Sequence, residues 1–156
     1  RKASVIAVAV LACAGAGALQ GANGDPLAEL AGYYPRSWQS GDVSGAKFEV
    51  TDEVTIAPLD ATSADITFAL NFFNGHTCDL QGRATLQGRK LIFTDAEGWQ
   101  GKACRLEIWR DGRNLRWTDR NNGCHDYCGM RGSFTGGKLP MHLRQPLGAR
   151  PKPHID

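Results

Sequence analysis

Long apolar runs are missing from this chain of 156 residues. No stretch approaches the ~20 residues that a membrane-spanning helix requires. The net charge is also small, and a formal charge of +2 does not by itself indicate a nucleic-acid-binding protein. The chain does contain 42% hydrophobic and 22% charged residues, a balance that supports a single packed domain and argues against wholesale disorder.

Several catalytic and ligand-binding motifs are absent as well. The sequence has no phosphate-binding loop and no dinucleotide fingerprint. The segment Gly132-Ser133-Phe134-Thr135-Gly136 has the spacing of a nucleophile elbow, but it enters a Gly-Gly turn where an elbow enters a helix. The acidic residues from Asp119 to Asp126 do not follow EF-hand spacing. We therefore predict a non-enzymatic domain with no cofactor and no bound metal.

The beginning of the chain is typical of an export signal. Arg1 and Lys2 precede an apolar stretch, rich in small residues, that runs to Leu19. Two cleavage patterns are present in it. Ala16-Gly17-Ala18 predicts a secreted or periplasmic protein, whereas Val10-Leu11-Ala12-Cys13 predicts a lipoprotein whose Cys13 is lipidated and attached to the membrane. The predicted domains are a signal peptide over 1–22, a disulfide-stabilised β-barrel over 25–143 and a flexible tail over 144–156.

The charges are segregated along the chain. From Asp25 to Leu80 there are nine acidic residues against two basic ones, and from Gln81 to Asp156 there are fourteen basic residues against seven acidic ones. If strands from the two halves interleave, the two fields cancel, which is the interpretation that we favour. If the halves stay apart, the protein has one acidic and one basic face that would steer charged partners.

Four cysteines remain when Cys13 is set aside. An even number of cysteines in an exported chain predicts two disulfides, and four cysteines allow three pairings. We favour Cys124–Cys128 together with Cys78–Cys104. A zinc site is the alternative, but Cys78 and Cys104 stand alone, whereas structural zinc sites usually have two short Cys-x-x-Cys segments.

Short segments with period-two alternation, separated by turn residues, follow a short helix at Asp25–Ala31. The clearest alternation is Ile66, Phe68, Leu70 and Phe72, followed by the turn Asn74-Gly75. Eight or nine such strands with hairpin connections, the last two near Ser133-Phe134 and Leu139, predict an all-β antiparallel meander that closes into a small barrel. A β-sandwich is the alternative. Asp52-Glu53 is predicted to lie in an exposed turn.

Aromatic and histidine residues in the predicted loops are the candidate contacts with a partner. Tyr33, Tyr34 and Trp38 suggest either a plug at one end of the barrel or an exposed recognition patch. Arginines interleaved with Trp109 and Trp117 are compatible with an anionic polymer, but outward strand positions commonly carry charge, and we predict no nucleic-acid partner. His125 and Asp126 lack a convincing nucleophile. The predicted partner-binding residues are His76, Trp99, His125, Asp126, Tyr127 and Arg131.

Two segments resemble a known group of proteins. Asn74-Gly75-His76-Thr77-Cys78 and the run from Cys124 to Phe134 are similar to those of small exported bacterial β domains, mostly uncharacterised, that are loosely grouped with lysozyme-inhibitor-like proteins. The resemblance covers roughly residues 27–140. It implies export, disulfides and a β fold. The Ser-Gly and Tyr-containing motifs of the inhibitors of vertebrate-type lysozyme are not found in the sequence.

These observations lead to two binding hypotheses, and a third, an enzyme that uses His76 or His125, would require a cleft with a second reactive group beside the imidazole. The first is a cell-envelope binding or inhibitor module that covers the cleft of a protein partner, such as a peptidoglycan hydrolase, with a rigid disulfide-bound loop. The acidic half of the chain would steer a cationic enzyme towards it. The second is a lipocalin-like carrier with a small apolar ligand inside the barrel. The large inward residues Phe68, Phe72, Leu106 and Trp117 favour a filled interior and hence the first hypothesis.

Overall fold

The computed structural model describes residues 24–151. One short helix, α1 (Pro26–Leu30), precedes a single sheet of eight antiparallel strands. No helix in this part of the chain is long and apolar enough to span a membrane. The strands are β1 (Gly32–Gly41), β2 (Lys47–Pro58), β3 (Ser63–Asn71), β4 (Thr77–Gln87), β5 (Lys90–Asp95), β6 (Cys104–Asp111), β7 (Asn114–Asp119) and β8 (Gly137–Pro140).

The sheet curls into a nearly closed barrel, which confirms the predicted fold class. Each strand pairs with its neighbour in sequence, from β1 to β8. Closure comes from the segment that follows β8, because the backbones of Tyr33 and Gln145 exchange two hydrogen bonds of 3.0 and 2.7 Å. Gln145, which falls within the predicted tail, therefore takes part in closing the barrel. The predicted signal peptide with Cys13, and the last five residues with His154, lie outside the described residues.

One strand of the sheet was not predicted, and one predicted strand does not form. β1 contains Gly32 and Pro35, which are unfavourable in strands, and the sequence therefore gave no strand signal there. Proline is tolerated because β1 is the edge strand of the sheet along most of its length. Conversely, the predicted strand at Ser133-Phe134 does not form, and Phe134 instead inserts its fully buried ring into the barrel.

The two ends of the barrel are built differently. At one end, which we call the helix end, α1 is capped by Asp25, whose carboxylate accepts the Leu27 backbone N–H at 3.0 Å. Leu27 and Leu30 are buried in the core, and the Tyr34 hydroxyl donates to the Leu30 carbonyl at 2.7 Å. At the other end, the loop end, the connections of 42–46, 72–76, 96–103 and 120–136 meet.

Large side chains fill the barrel interior. Phe68 makes edge-to-face contacts with Trp117 and Phe134, with ring centroids 5.2 and 5.8 Å apart. All three residues are at most 4% exposed. The predicted inward positions Phe68, Leu106 and Trp117 are therefore core residues, while Phe72 packs against the core from a half-buried position.

The sequential strand order overturns the expectation that the two charge halves cancel. In a meander that runs from β1 to β8, the first half of the chain occupies one side of the barrel and the second half the other. Exposed Glu49, Asp65 and Asp79 lie on the β2–β4 side, and exposed Arg105 and Lys138 lie on the β5–β8 side. The barrel consequently has an acidic side and a basic side.

Candidate functional site

The longest connection at the loop end, residues 120–136, is folded tightly against the barrel, and we call it the Cys loop. Asp119, at the end of β7, fastens both of its ends. The buried Asp119 carboxylate accepts the Cys124 backbone N–H at 2.8 Å, and the Asp119 backbone N–H donates to the Phe134 carbonyl at 3.3 Å. The Thr135 hydroxyl adds a third bond, to the Asp119 carbonyl. These hydrogen bonds anchor the Cys loop to β7 independently of its cysteines.

Two disulfides attach the Cys loop to two different strands. Cys78, at the start of β4, is bonded to Cys128, and Cys104, at the start of β6, is bonded to Cys124. The Cα–Cα separations are 4.0 and 4.3 Å. The predicted pairing of Cys124 with Cys128 and of Cys78 with Cys104 is wrong. The short turn at Gly123–Tyr127 directs Cys124 and the following Cys128 towards separate strands, and their proximity in sequence gave no signal of this.

Glycine lets the Cys loop approach its neighbouring loop at the backbone level. A Cβ atom on Gly123 would collide with the Ala103 carbonyl, and one on Gly98 would collide with the Cys104 nitrogen and the Gly123 carbonyl. Both glycines are buried. The 96–103 loop and the Cys loop thus pack main chain against main chain, which leaves little freedom for either loop to move.

Trp99 and His125 contact each other across these two loops. Their rings meet edge to face with centroids 4.9 Å apart, and both side chains are half-buried. The sequence identified both residues as contact candidates but gave no indication that they form a pair. The half-buried pair extends the packed junction towards the molecular surface.

Tyr127 has a structural role that the sequence did not indicate. Its hydroxyl donates to the Asp95 carboxylate at 2.6 Å, and its ring packs edge to face on Phe93. Burial, reinforced by the Asp95 carboxylate, raises the pKa of Tyr127 to about 12. The same hydrogen bond holds the pKa of Asp95 below its ordinary value. Tyr127, one of the predicted partner-binding residues, is a half-buried anchor at the base of the Cys loop.

The outermost part of the Cys loop is the turn that follows Cys128. The Gly129 N–H donates to the Thr77 carbonyl at 2.7 Å, which places this turn beside His76. Arg131 and Asp126 are exposed, and no hydrogen bond or ion pair holds either side chain within residues 24–151. Met130 is 83% exposed, a large apolar side chain presented to solvent that the sequence-based candidates did not include.

Two further apolar side chains are exposed on neighbouring loops. Val43 is 76% exposed in the 42–46 loop, and Phe73 is 47% exposed in the 72–76 loop. The two loops are joined by a hydrogen bond from the Val43 N–H to the Asn74 side chain at 3.3 Å. The four connections at the loop end form one continuous surface, which we call the loop rim. The sequence analysis did not include Val43 and Phe73 among the contact candidates. Their position as isolated apolar residues inside Gly- and Asn-containing turns could have indicated their exposure.

Asp52 was predicted in an exposed turn, and the structure contradicts this. It lies inside β2, 2% exposed, and faces inward like Val54 and Ile56. Its carboxylate accepts from the Arg36 guanidinium at 2.5 Å, the Trp38 indole at 3.1 Å and the Asn71 backbone N–H at 2.8 Å. Tyr33, Tyr34 and Trp38 form no plug, since all three belong to β1. Asp52 is a structural acid that joins β1, β2 and β3 near the loop end.

The loop rim presents apolar, aromatic and charged side chains on a fixed backbone. Within residues 24–151 no hydrogen bond joins His125 to Ser133 or Asp126. No group of three His, Cys, Asp or Glu residues in that part of the chain is placed to hold a metal ion. What the rim offers is apolar area, aromatic edges and unpaired charges on a covalently fixed backbone, which are the features of interaction surfaces.

A scan against protein-family models, a search of the curated proteins and a search of the solved structures find no match to this chain.

Proposed function

We propose that this chain is an exported bacterial cell-envelope protein whose loop rim binds a protein partner and covers its cleft. A peptidoglycan hydrolase such as lysozyme is the first candidate for that partner. The observation that carries the proposal is the loop rim itself, which exposes Val43, Phe73 and Met130 on a backbone held by two disulfides. Exposed apolar side chains that are grouped at one end of a molecule are typical of protein interaction sites.

Rigidity favours binding by occlusion. A loop that is already fixed in its bound conformation loses little conformational entropy when it binds, and this is the advantage of rigid inhibitor loops. The Cys loop is fastened at Asp119, at Cys78 and at Cys104, that is, on three different strands. The alternative of a lipocalin-like carrier has less support, because Phe68, Trp117 and Phe134 occupy the interior.

A location outside the cytoplasm agrees with these features. Disulfides persist in oxidising compartments such as the bacterial periplasm and the extracellular space. The apolar stretch after Arg1 and Lys2 would supply the export signal, and lipidation of Cys13 would attach the domain to the membrane. The acidic side of the barrel adds long-range attraction for a cationic enzyme.

A lysis assay tests the proposal directly. The oxidised domain is titrated into lysozyme acting on a bacterial cell-wall suspension, and the loss of turbidity is followed. We expect dose-dependent inhibition that saturates near one domain per enzyme. Lysis that continues at the uninhibited rate with the domain in large excess would refute lysozyme as the partner. Reduced and alkylated domain is the control, since it keeps the sequence but loses both loop attachments.

A further inference from the structure

A pocket of about 220 Å³ opens at the loop end between the two edges of the sheet. Beyond Tyr33, no strand within the described residues pairs with the outer edge of β1, and β8 pairs with β7 alone. Arg36 lines the pocket from β1, while Gly137 and Lys138 line it from β8. We call this space the seam pocket, because it lies where the barrel is left unclosed.

The walls of the seam pocket are apolar on one side and rich in hydrogen-bond donors on the other. Leu70, Phe72 and Trp117 supply the apolar wall. Asp52 also lines the pocket, but its carboxylate is already occupied by Arg36, Trp38 and Asn71. The charge that remains after this pairing is the positive charge of Lys138. An incoming ligand therefore meets a positive field and an apolar surface together.

Trp117 provides a second, independent indication of a ligand. The residue is 4% exposed, and its indole Nε1 has no hydrogen-bond partner among residues 24–151. A buried N–H group without an acceptor is costly, and buried indole groups usually find one. Gly137 packs directly against the indole edge, since a Cβ at this position would overlap Trp117 Nε1 and Cε2, and this contact supplies no acceptor for the N–H group. An acceptor atom in the pocket would complete the hydrogen bonding of Trp117.

We propose that the seam pocket binds a small organic carboxylate with an aromatic or compact apolar body. The carboxylate would accept from the Trp117 indole and pair with Lys138 and the free edge of the Arg36 guanidinium, while the body packs on Phe72 and Leu70. The size agrees with this class, because a cavity of about 150 Å³ accommodates benzene. The pocket shares Phe72, Ser133 and Thr135 with the loop-end connections, but its test measures a small ligand alone, so the outcome does not depend on the proposed protein partner.

Benzoate is the probe, and the indole N–H signals of the ¹⁵N-labelled domain are the readout. The chain has four tryptophans, so Trp117→Phe identifies the Trp117 signal, and Trp109→Phe serves as the matched control outside the pocket. We expect benzoate to shift the Trp117 signal saturably, with a Kd on the order of 1 mM. Neutral benzamide, which has nearly the same shape, is expected to bind at least about tenfold more weakly.

A second variant keeps the test valid if Trp117→Phe does not fold. Lys138→Gln changes an exposed side chain and leaves the core intact, and it is expected to weaken benzoate binding several-fold. The Trp117 signal can then be assigned through its contacts with Phe68. A Trp117 signal that stays unmoved at about 10 mM benzoate would overturn the proposal. So would equal binding of benzamide, or undiminished benzoate affinity in Lys138→Gln.

Discussion

Single buried acids determine how this barrel holds together near its loop end. Asp52 would be expensive to bury alone, but three donors from β1 and β3 surround it. Asp119 plays a similar part for the Cys loop, although one of its carboxylate oxygens has no partner in the described part of the chain. Both acids act through backbone N–H groups that regular strand pairing leaves unused.

Replacing Asp52 is expected to weaken the fold. Asp52→Ala leaves the Arg36 guanidinium, the Trp38 indole and the Asn71 N–H without their acceptor. We expect the free energy of unfolding to fall by about 2 kcal/mol, a value reduced because Arg36 reaches solvent. Urea denaturation measures it. The control is Asp65→Ala, an exposed acid on β3, which is expected to change stability by less than about 0.5 kcal/mol. Equal losses in the two variants would contradict this role.

Glu107 gives the fold a pH dependence. It is 8% exposed on the outer face of β6, where its carboxylate accepts from Lys90 at 3.0 Å and Arg120 at 3.3 Å. The Lys90 hydrogen bond holds the pKa of Glu107 below its ordinary value of 4.5. A lowered folded-state pKa stabilises the protein above the unfolded-state pKa, and this stabilisation disappears as the pH falls through the folded-state value.

Glu107→Gln separates this effect from general acid denaturation. We expect the variant to be about 1 kcal/mol less stable than the wild type at pH 7. The difference should persist down to pH 4.5 and shrink as the pH falls further, because Glu107 then becomes neutral in the wild type as well. Urea midpoints measured at descending pH follow the difference. A gap that stays constant into acid would contradict the assignment.

At the scale of elements, the Cys loop depends on its attachments to β4 and β6. The Cys78–Cys128 bond spans 50 residues of sequence and the Cys104–Cys124 bond spans 20. In the chain-entropy account of disulfides, closing loops of these lengths contributes about 4 and about 3 kcal/mol. The Cys78–Cys128 disulfide also holds the turn that contains Met130 and Arg131 beside His76.

Removing the Cys78–Cys128 disulfide is expected to release the turn that contains Met130 and Arg131. In Cys78→Ser/Cys128→Ser, we expect trypsin to cleave after Arg131 at least about tenfold faster than in the wild type, because the turn opens without unfolding the barrel. Arg83 is the internal control, since it is exposed within the paired strand β4 and should resist cleavage in both proteins. Cleavage after Arg131 at an unchanged rate would show that the disulfide does not hold the turn.

The alternation of apolar and polar residues in the sequence identified the strands that have one apolar face. It could not identify the strands that lack this pattern. Ile66, Phe68 and Leu70 gave a clear signal, and the turn predicted after them at Asn74-Gly75 forms, with positive φ at both residues. β1 gave none, because Pro35 and polar residues interrupt it and its burial comes from tertiary contacts. Asp52 was misplaced for a related reason, since a buried acid looks like a turn residue until its donors are known. Disulfide pairing depends on which strand ends meet, information that local sequence does not contain.

The whole molecule is electrically dipolar because its strands follow one another around the barrel. Residues 24–151 carry fifteen acidic and fifteen basic side chains, so their net charge is zero. Sequence alone gave the segregation of charge along the chain, but only strand order decides whether the two halves mix in space. A βαβ or Greek-key order would have interleaved them, and the meander does not.

Ion exchange tests the dipole without any partner. At low ionic strength and pH 7, we expect a domain of residues 24–151 to be retained on both a cation and an anion exchanger, in spite of its zero net charge. Modest salt should release it from both, since such attraction is screened within about 10 Å at 0.1 M. The triple variant Glu49→Gln/Asp65→Asn/Asp79→Asn removes three acids from the acidic side. We expect it to lose retention on the anion exchanger before it loses retention on the cation exchanger. Passage of the unaltered domain through both columns would contradict the dipole.

The central claim is that the loop end of the barrel is the binding surface, and a matched pair of variants tests it most directly. Met130→Asp places a charge on the loop rim, and Leu59→Asp places the same charge on an apolar side chain, 43% exposed, at the helix end. Both variants are compared with the unaltered domain for binding to immobilised lysozyme. We predict that Met130→Asp weakens binding at least about tenfold, while Leu59→Asp leaves it within about twofold. The reverse order, or equal losses, would contradict the account.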